Sequence, residues 1–307
     1  MSIVDLPRAS RAVLDDPARE AVPFDALAAD YDRTFTDSHL GGLVRQAVWR
    51  RLDARFSAGD RVLEVNCGTG ADACHLAGRG VLVTATDVAP AMVAATVERA
   101  AATGVADLVS VRMLDLDRIG RIDPVGCLDP VGRLDGPVGR HDGVDVGTRN
   151  RLGYDGLVSN FGGLNCVADL PATLAALGRL LRPGGVAVLG IMGPVVPWEW
   201  AWQLSRGRPG AAVRRLRPGG VRWRGLTIRY PSPAALARAA RPLFTVERFS
   251  GVGVLLPPTD AAPWAARHPR IVDRLAAAER RLDGVAAAAW FADHYVVELR
   301  RRPAGSA

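Results

Sequence analysis

The sequence predicts a doubly wound α/β fold, in which helices cover both faces of a mostly parallel sheet of seven strands. Three observations support this prediction. Short apolar strand signals recur along the chain, helical stretches separate most of them, and a glycine turn joins the first strand to a helix. Alternating strands and helices are typical of a parallel sheet with helices on both faces.

The elements follow one another in a regular order. Helical periodicity comes first, from Phe24 to Phe56, with apolar residues at three- and four-residue steps. The strand signals are then RVLEV, VLVTATD, LVSVRMLD, YDGLVSN, GVAVLGIM, FTVERF (Phe244–Phe249) and HYVVELR (His294–Arg300). The clearest helices between them are predicted at Pro90–Thr103, at Leu170–Leu181 before the turn Arg182-Pro183-Gly184-Gly185, and from about Pro269 onward.

The pattern along the chain predicts one domain, residues 21–302, behind a loose leader of residues 1–20. Within it we expect N-terminal helices (21–58), a core with the glycine turn (59–192), a cap insertion (193–241), and the last strands with an inserted helix (242–302). Residues 118–153 are a near-repeat containing IDPVG, LDPVG and LDGPVG. Its Gly, Pro and Asp content disfavours regular structure, so we interpret it as a low-complexity insertion.

Composition narrows the class of protein. Of the 307 residues 49% are apolar, which is enough for a sizeable core. The cysteines form no C-x-x-C pair, and neither a long apolar run nor a secretion signal is present, so we expect a cytoplasmic protein with reduced thiols. The net charge is +7, and all 39 basic residues are arginine, which resembles a coding bias. Ten arginines and no acid nevertheless lie between Trp200 and Val246.

The stretch VLEVNCGTGADACHLA, from Val62 to Ala77, says most about function. Gly68 and Gly70 let the main chain approach a ligand that a Cβ would block. The helix start beyond them offers free N–H groups. Seventeen residues after Gly70 the second strand ends on Asp87, whose carboxylate can bind both hydroxyls of a ribose. The pattern predicts a site for a cofactor that contains a nucleoside.

Two kinds of cofactor fit this turn. Gly68-x-Gly70-x-x-Ala73 also satisfies the dinucleotide fingerprint G-x-G-x-x-G/A, which favours an NAD(P)-dependent oxidoreductase. Against it, Glu64 lies at the end of the strand before the turn, where it would repel a pyrophosphate but not the ammonium of an aminoacyl sulfonium. Asp115 ends the third strand, where a carboxylate can accept from an adenine amino group.

Taken in order, these motifs resemble the class I S-adenosylmethionine-dependent methyltransferases that act on small molecules. The resemblance rests on VLEVNCGTG, Asp87, Asp115, YDGLVSN and LRPGG, and covers roughly Phe24 to Met192 and, more weakly, the last two strands. It implies a Rossmann-like sheet with an antiparallel last strand, and S-adenosylmethionine as cofactor. The cofactor-binding residues that it implies are Tyr31, Glu64, Asn66, Cys67, Gly68, Thr69, Gly70, Asp87, Val88, Met92, Asp115, Leu116, Asn160 and Phe161.

By the same resemblance, the parts of the cofactor are shared out along the chain. It implies that Glu64 and the two glycines bind the methionine end and that Asp87 binds the ribose. Asp115 with Leu116 would bind the adenine, and Asn160 with Phe161 would lie beside the sulfonium. Tyr31 would close over the amino-acid moiety. Asn66 is a departure, since most relatives have glycine there, but asparagine tolerates left-handed backbone angles.

Methyl transfer from a sulfonium is an in-line displacement, so the protein mainly orients the reactants. A base is needed only where the acceptor loses a proton. His294, at the start of the last strand, is the leading candidate, ahead of His39, His268 and Glu199. No metal site is predicted. The motif Ser159-Asn160-Phe161-Gly162 lacks the prolines of the Asn/Asp-Pro-Pro-Tyr/Phe tetrad that DNA amino-methylating enzymes share, which argues against DNA as substrate.

The cap insertion indicates the acceptor. Trp198 and Trp202 are spaced i, i+4 on one helix face and, with Trp223, are candidates to line an apolar acceptor pocket or to pack the cap on the sheet. The eight arginines of Arg206–Arg229 suit an acidic substrate group, an anionic membrane surface or RNA, and tryptophan beside arginine fits peripheral membrane contact. We expect a small, apolar or lipid-like acceptor.

The alternative functions are the oxidoreductase, an RNA-directed methyltransferase, and a cyclase or scaffold that binds the cofactor without methyl transfer. No pattern indicates an oligomeric state.

Overall fold

A seven-stranded sheet organises the chain in the computed structural model, which describes residues 24–25, 28–119 and 153–303. The predicted leader and residues 120–152 of the low-complexity insertion lie outside the described residues. The strands are β1 (Arg61–Val65), β2 (Leu82–Asp87), β3 (Val109–Met113), β4 (Tyr154–Ser159), β5 (Leu181–Met192), β6 (Val221–Trp223), β7 (Leu226–Ile228), β8 (Phe244–Val252) and β9 (His294–Arg301). All but β6 and β7, which form a separate hairpin, belong to the large sheet.

Helices connect most of these strands. They are α1 (Ala28–Tyr31), continued by a π-helical turn (Asp32–Thr36), then α2 (His39–Arg55), α3 (Ala71–Ala77), α4 (Pro90–Ala102), α5 (Leu170–Leu180), α6 (Pro197–Leu204), α7 (Pro209–Ala212), α8 (Pro233–Ala240), α9 (Ala262–Arg267) and α10 (Pro269–Glu279). In the described part of the chain, none of them has both the length and the apolarity needed to cross a bilayer.

The strand order in the sheet is β3-β2-β1-β4-β5-β9-β8. The first five strands pair in parallel, whereas β9 runs antiparallel between β5 and β8, which confirms the predicted Rossmann-like sheet with an antiparallel last strand. Met192, at the end of β5, pairs with His294, at the start of β9. The beginning of β9 therefore lies at the same sheet edge as the carboxyl ends of the parallel strands, where α/β sheets bind ligands.

Two apolar clusters cover the two faces of the sheet. Leu52 of α2 and Leu76 of α3 are fully buried in one of them, and Leu177 of α5 and Phe244 of β8 in the other. Burying one such side chain contributes roughly 1.5–3 kcal/mol. The core thus fixes the strand ends from both sides of the sheet.

Three local features differ from the sequence predictions. The helical stretch predicted from Phe24 to Phe56 is interrupted before α2, because the Ser38 side chain accepts a hydrogen bond from the Gly41 amide and caps the helix there. The motif LRPGG, predicted as a turn, is the irregular start of β5. The cap contains the β6–β7 hairpin, whose three-residue strands are too short for a periodicity signal.

Candidate cofactor and acceptor site

A cavity of about 480 Å³ opens at the carboxyl edge of the sheet, next to β1 and β4, where the strand order reverses. All but Gly70 of the predicted cofactor-binding residues line it, together with Trp223 of the predicted acceptor residues. The wall also includes residues that the sequence analysis did not single out, namely Phe24, Arg45, Asp72, Asp117, Gly162, Gly163, Cys166, Val167, Met192, Leu226 and Ile228.

The glycine turn is built around the carboxylate of Asp87. Its two oxygens accept hydrogen bonds from the amides of Gly68 (3.0 Å) and Ala89 (2.9 Å). Burial raises the pKa of Asp87 despite these bonds. The Gly70 amide in turn donates to the Cys67 carbonyl. Since both glycine amides are used within the turn, they are not directed at a ligand as they would be in a pyrophosphate site.

Gly70 and Asn66 serve the conformation of this turn. Gly70 has φ +76°, and a Cβ there would lie 2.6 Å from the Cγ2 of Thr96 on α4, so a side chain would separate the turn from that helix. Asn66 adopts φ +58° in place of the usual glycine. The turn therefore keeps the left-handed geometry without a glycine at position 66.

Glu64 is a buried carboxylate at the cavity wall, only 2% exposed. Its Oε2 has no hydrogen-bond partner among the residues that the structure describes. Burial, with Asp72 nearby, raises the pKa of Glu64 well above its usual range. An unpartnered buried carboxylate oxygen of this kind suits a cationic donor on a ligand.

Asp72, beside Glu64, is a buried carboxylate with three hydrogen-bond donors. It accepts hydrogen bonds from Arg45 (2.6 Å), from Trp49 Nε1 (2.8 Å) and from Asn160 Nδ2 (2.8 Å). Burial alone would raise its pKa, but Arg45 and these donors lower it. The contact joins α2, α3 and the end of β4, so the three elements hold the cavity wall together.

The wall carries more negative than positive charge. Its acids are Glu64, Asp72, Asp87, Asp115 and Asp117, and Arg45 is the one basic residue on the described wall. The Arg45 guanidinium lies 4.6 Å from the Phe161 ring centroid and is paired with an acid. Such a cavity favours a cationic ligand over a dianionic pyrophosphate.

The N-terminal segment closes over the glycine turn. Asp32, just after α1, accepts hydrogen bonds from the Thr69 hydroxyl (2.7 Å) and from Arg99 (2.5 Å). Arg99 also donates to the Thr69 carbonyl (2.8 Å). Tyr31 lines the cavity, and burial raises its pKa to about 12. The predicted tyrosine is thus at the turn, held there by an ion pair on the neighbouring residue.

The cap hairpin contributes three apolar side chains to the wall. Trp223, Leu226 and Ile228 face the cavity, and the Trp223 ring lies 5.6 Å from that of Phe24. Asn165, after β4, docks the hairpin: its Nδ2 donates to the carbonyls of Met192 and Arg229 and its own carbonyl accepts from the Arg229 amide. Of the three tryptophans predicted to line an acceptor pocket, Trp223 therefore lies on the cavity wall.

Trp198 and Trp202 do not lie on the cavity wall. Trp198 donates to the Leu255 carbonyl, and Trp202 lies under the guanidinium of Arg206 at 3.5 Å. The buried face of α6 is instead the one with Glu199 and Gln203. The two tryptophans do have the i, i+4 spacing of one helix face, but the buried face of α6 carries Glu199, which forms an ion pair with Arg215.

That charge pair leads to His294. Glu199 (1% exposed) pairs with Arg215 at 2.6 Å, and Arg215 pairs with Asp293 at 2.5 Å. The other oxygen of Asp293 lies 3.0 Å from His294 Nδ1. Burial would raise the pKa of Asp293, but His294 and Arg215 hold it below its usual range.

His294 itself lies directly behind the wall, with its ring edge-to-face with Phe161 at 5.6 Å. Of the other base candidates, His39 pairs with Asp273 at the surface, His268 stacks on Trp264, and Glu199 is used in the ion pairs. His294 is therefore the candidate base that stands nearest the site.

Comparison with known proteins agrees with this geometry. Residues 63–187 match a family model described as a methyltransferase domain. A demethylmenaquinone methyltransferase of Mycobacterium marinum is 30% identical over 184 residues, 59% of this chain and 62% of that protein. One of Corynebacterium urealyticum is 29% identical over 192 residues, 61% of this chain and 66% of that protein. The match thus spans less than two thirds of the length of each relative.

The fold has relatives among solved structures. A chain in the complex that contains the Haloferax volcanii Trm112 methyltransferase activator superposes with a TM-score of 0.50 at 17% identity, covering 93% of this chain and 100% of that chain. At this identity the likeness concerns the fold alone.

Proposed function

We propose that this chain is a class I S-adenosylmethionine-dependent methyltransferase that transfers the methyl group of its cofactor to a small, apolar acceptor. The observation that carries the proposal is one cavity lined by two chemically different sets of residues. Acids from the ends of β1, β2 and β3 line it, and so do the apolar side chains of Trp223, Leu226 and Ile228.

S-adenosylmethionine suits the acidic residues of the wall. Glu64 Oε2, which has no partner among the described residues, would accept from the ammonium, Asp87 at the end of β2 would bind the ribose hydroxyls, and Asp115 with Leu116 would contact the adenine. When bound, this cofactor supplies an activated methyl group on a sulfonium. The chain's residues bind it, orient it and exclude water from it.

The acceptor that we propose is an aromatic ring carrying an apolar substituent, of the menaquinone type. Two curated relatives are named as demethylmenaquinone methyltransferases. The aromatic rings of Phe24, Phe161 and Trp223 on the wall suit a planar apolar ring.

We also propose His294 as the general base for an acceptor that loses a hydroxyl proton. In this proposal Nδ1, which lies 3.0 Å from Asp293 Oδ2, carries the imidazole proton, and Nε2 takes the acceptor's proton. The bound cofactor would then supply the methyl group: the oxygen or a ring carbon of the deprotonated acceptor would bond to the methyl carbon as the carbon–sulfur bond breaks and the neutral thioether leaves, and at a ring carbon the displaced hydrogen would return as a proton to the oxygen. Positioned proton transfer of this kind typically contributes about 10²–10⁴-fold to the rate.

Calorimetry with S-adenosylhomocysteine and, separately, NADH tests the cofactor. We expect binding heat and a raised melting temperature with S-adenosylhomocysteine, and these effects with NADH instead would contradict the proposal.

Mass spectrometry of a short-chain demethylated naphthoquinol incubated with the protein and cofactor tests the acceptor. His294→Ala should abolish most turnover and keep the S-adenosylhomocysteine affinity, while the surface control His39→Ala should change neither. Unchanged turnover in His294→Ala would remove His294 from the reaction.

A further inference from the structure

We propose that the outer face of the cap docks on an anionic membrane surface, so that the acceptor passes from lipid into the cavity. The inference rests on the proposed apolar acceptor. We call this face the cap surface and define it by Leu204, Val213 and Leu216 with the arginines around them, Arg206, Arg208 and Arg217.

The three apolar side chains of the cap surface are exposed to solvent. Leu204 is 57% exposed, Val213 49% and Leu216 46%. They lie close along the chain, at the end of α6, just after α7, and in the turn that follows. Backbone hydrogen bonds from the Val213 amide to the Pro209 carbonyl and from the Leu216 amide to the Val213 carbonyl fix the turn that carries the last two. A clustered apolar patch with a charged rim is typical of an interaction site.

The charge around the patch is of one sign. Between Trp200 and Val246 the chain has ten arginines and no acid. Arg214 and Arg215 pair with Glu199, and Arg215 pairs also with Asp293, whereas Arg206, Arg208 and Arg217 are exposed. Exposed arginines beside exposed leucines match the two layers of an anionic bilayer surface, phosphate above and acyl chain below.

A nucleic-acid partner fits this face less well. Single-stranded nucleic acid needs exposed aromatic rings on which bases stack. On the cap, Arg206 covers the Trp202 ring and Trp223 faces the cavity. The exposed apolar residues are aliphatic, which favours lipid.

The cap also supplies the hairpin that lines the cavity. In this hairpin, Trp223 and Leu226 line the cavity and Arg222 and Arg224 are exposed, with the Arg224 guanidinium 5.2 Å from the centroid of the Trp223 ring. One two-stranded hairpin therefore carries both cavity-lining apolar side chains and exposed arginines. Docking of the cap on a bilayer would bring this hairpin, and with it the cavity, close to the source of an apolar acceptor.

Vesicle sedimentation tests the proposal with the full chain. We expect the protein to pellet with phosphatidylcholine vesicles that contain phosphatidylglycerol at low salt, and to bind about tenfold more weakly to phosphatidylcholine alone or at high salt. The double variant Leu204→Glu/Leu216→Glu and the triple variant Arg206→Gln/Arg208→Gln/Arg217→Gln should each lose about tenfold in vesicle binding.

The matched control is Ile271→Glu/Phe291→Glu, which changes two similarly exposed apolar residues outside the cap and should pellet like the parent chain. Calorimetry with S-adenosylhomocysteine on every variant shows that the cofactor site is intact. No pelleting at low salt, equal pelleting of all variants, or displacement by single-stranded RNA would overturn the proposal. Because neither assay requires turnover, a wrong acceptor class would appear separately, as vesicle binding without methylated product.

Discussion

Replacing Glu64 by glutamine should weaken cofactor binding and at the same time stabilise the cofactor-free protein. The carboxylate is 2% exposed and its Oε2 has no partner within the described chain. The substitution preserves shape and removes a charge that burial disfavours. A residue that only packs the core would not separate binding from stability in this way.

The magnitude follows from the contacts. One unpartnered oxygen allows one charge-assisted hydrogen bond to the cofactor's ammonium, and such bonds contribute about 1.5–3 kcal/mol. The affinity for S-adenosylhomocysteine, which keeps that ammonium, should therefore fall roughly 10- to 150-fold at 25 °C.

The stability effect depends on pH. Burial raises the pKa of Glu64 in the folded state above its unfolded value. Its charge therefore destabilises the fold above the folded-state pKa, and this penalty disappears as the pH falls below the unfolded pKa of about 4.3. The cofactor-free variant should melt higher than the parent chain at pH 8, and the difference should vanish toward pH 4.

Isothermal calorimetry and thermal melts of both proteins measure the two effects. The matched control is Glu98→Gln, which makes the same change on an exposed face of α4 and should alter neither. Equal affinity of the Glu64→Gln variant and the parent chain for S-adenosylhomocysteine would refute the assignment of Glu64 to the ammonium.

Three further substitutions test the frame of the site. Asp72→Asn leaves a buried guanidinium without its partner and should cost about 3–5 kcal/mol in urea unfolding at pH 7. Because the pKa of Asp72 is lowered in the folded state, its contribution is lost as the pH falls below about 3.9, and the gap between variant and parent should narrow there. Gly70→Ala should destabilise the protein by about 1–3 kcal/mol more than Gly59→Ala, because both have positive φ but only position 70 lacks room for a Cβ; equal losses in urea unfolding would contradict this. Asn165→Ala should raise the acceptor KM and leave S-adenosylhomocysteine affinity unchanged, because it frees the hairpin and not the turn; steady-state kinetics with calorimetry would expose a loss of both.

Local patterns predicted the sheet, and they singled out residues that the structure gathers on one cavity wall. The buried strands are apolar runs that end in turns, and Glu64 and Asp87 sit at strand ends, where a parallel sheet gathers side chains at one edge. The sheet edge at which Glu64 and Asp87 lie could therefore be predicted from the order of the strands alone.

Contacts between helices that are far apart along the chain could not be predicted from local sequence patterns. Arg45 and Asp72 are 27 residues apart and look like ordinary polar positions of two helices, yet they form a buried pair at the cavity. Trp198 and Trp202 have the spacing of a shared helix face, but that face is not the one turned inward, because Glu199 is drawn to Arg215. Which side of an amphipathic helix is buried depended on a partner that periodicity cannot show.

The left-handed backbone of a few residues has a consequence for engineering this protein. In the described chain, the non-glycine residues with positive φ are Asn66, Phe161 and Arg224. The first two line the cavity, and Arg224 is in the turn of the hairpin that walls it. Each such residue stores about 1–3 kcal/mol of strain. A search for stabilising substitutions will therefore find its largest gains around the cavity, where each gain is most apt to be lost again as binding or turnover.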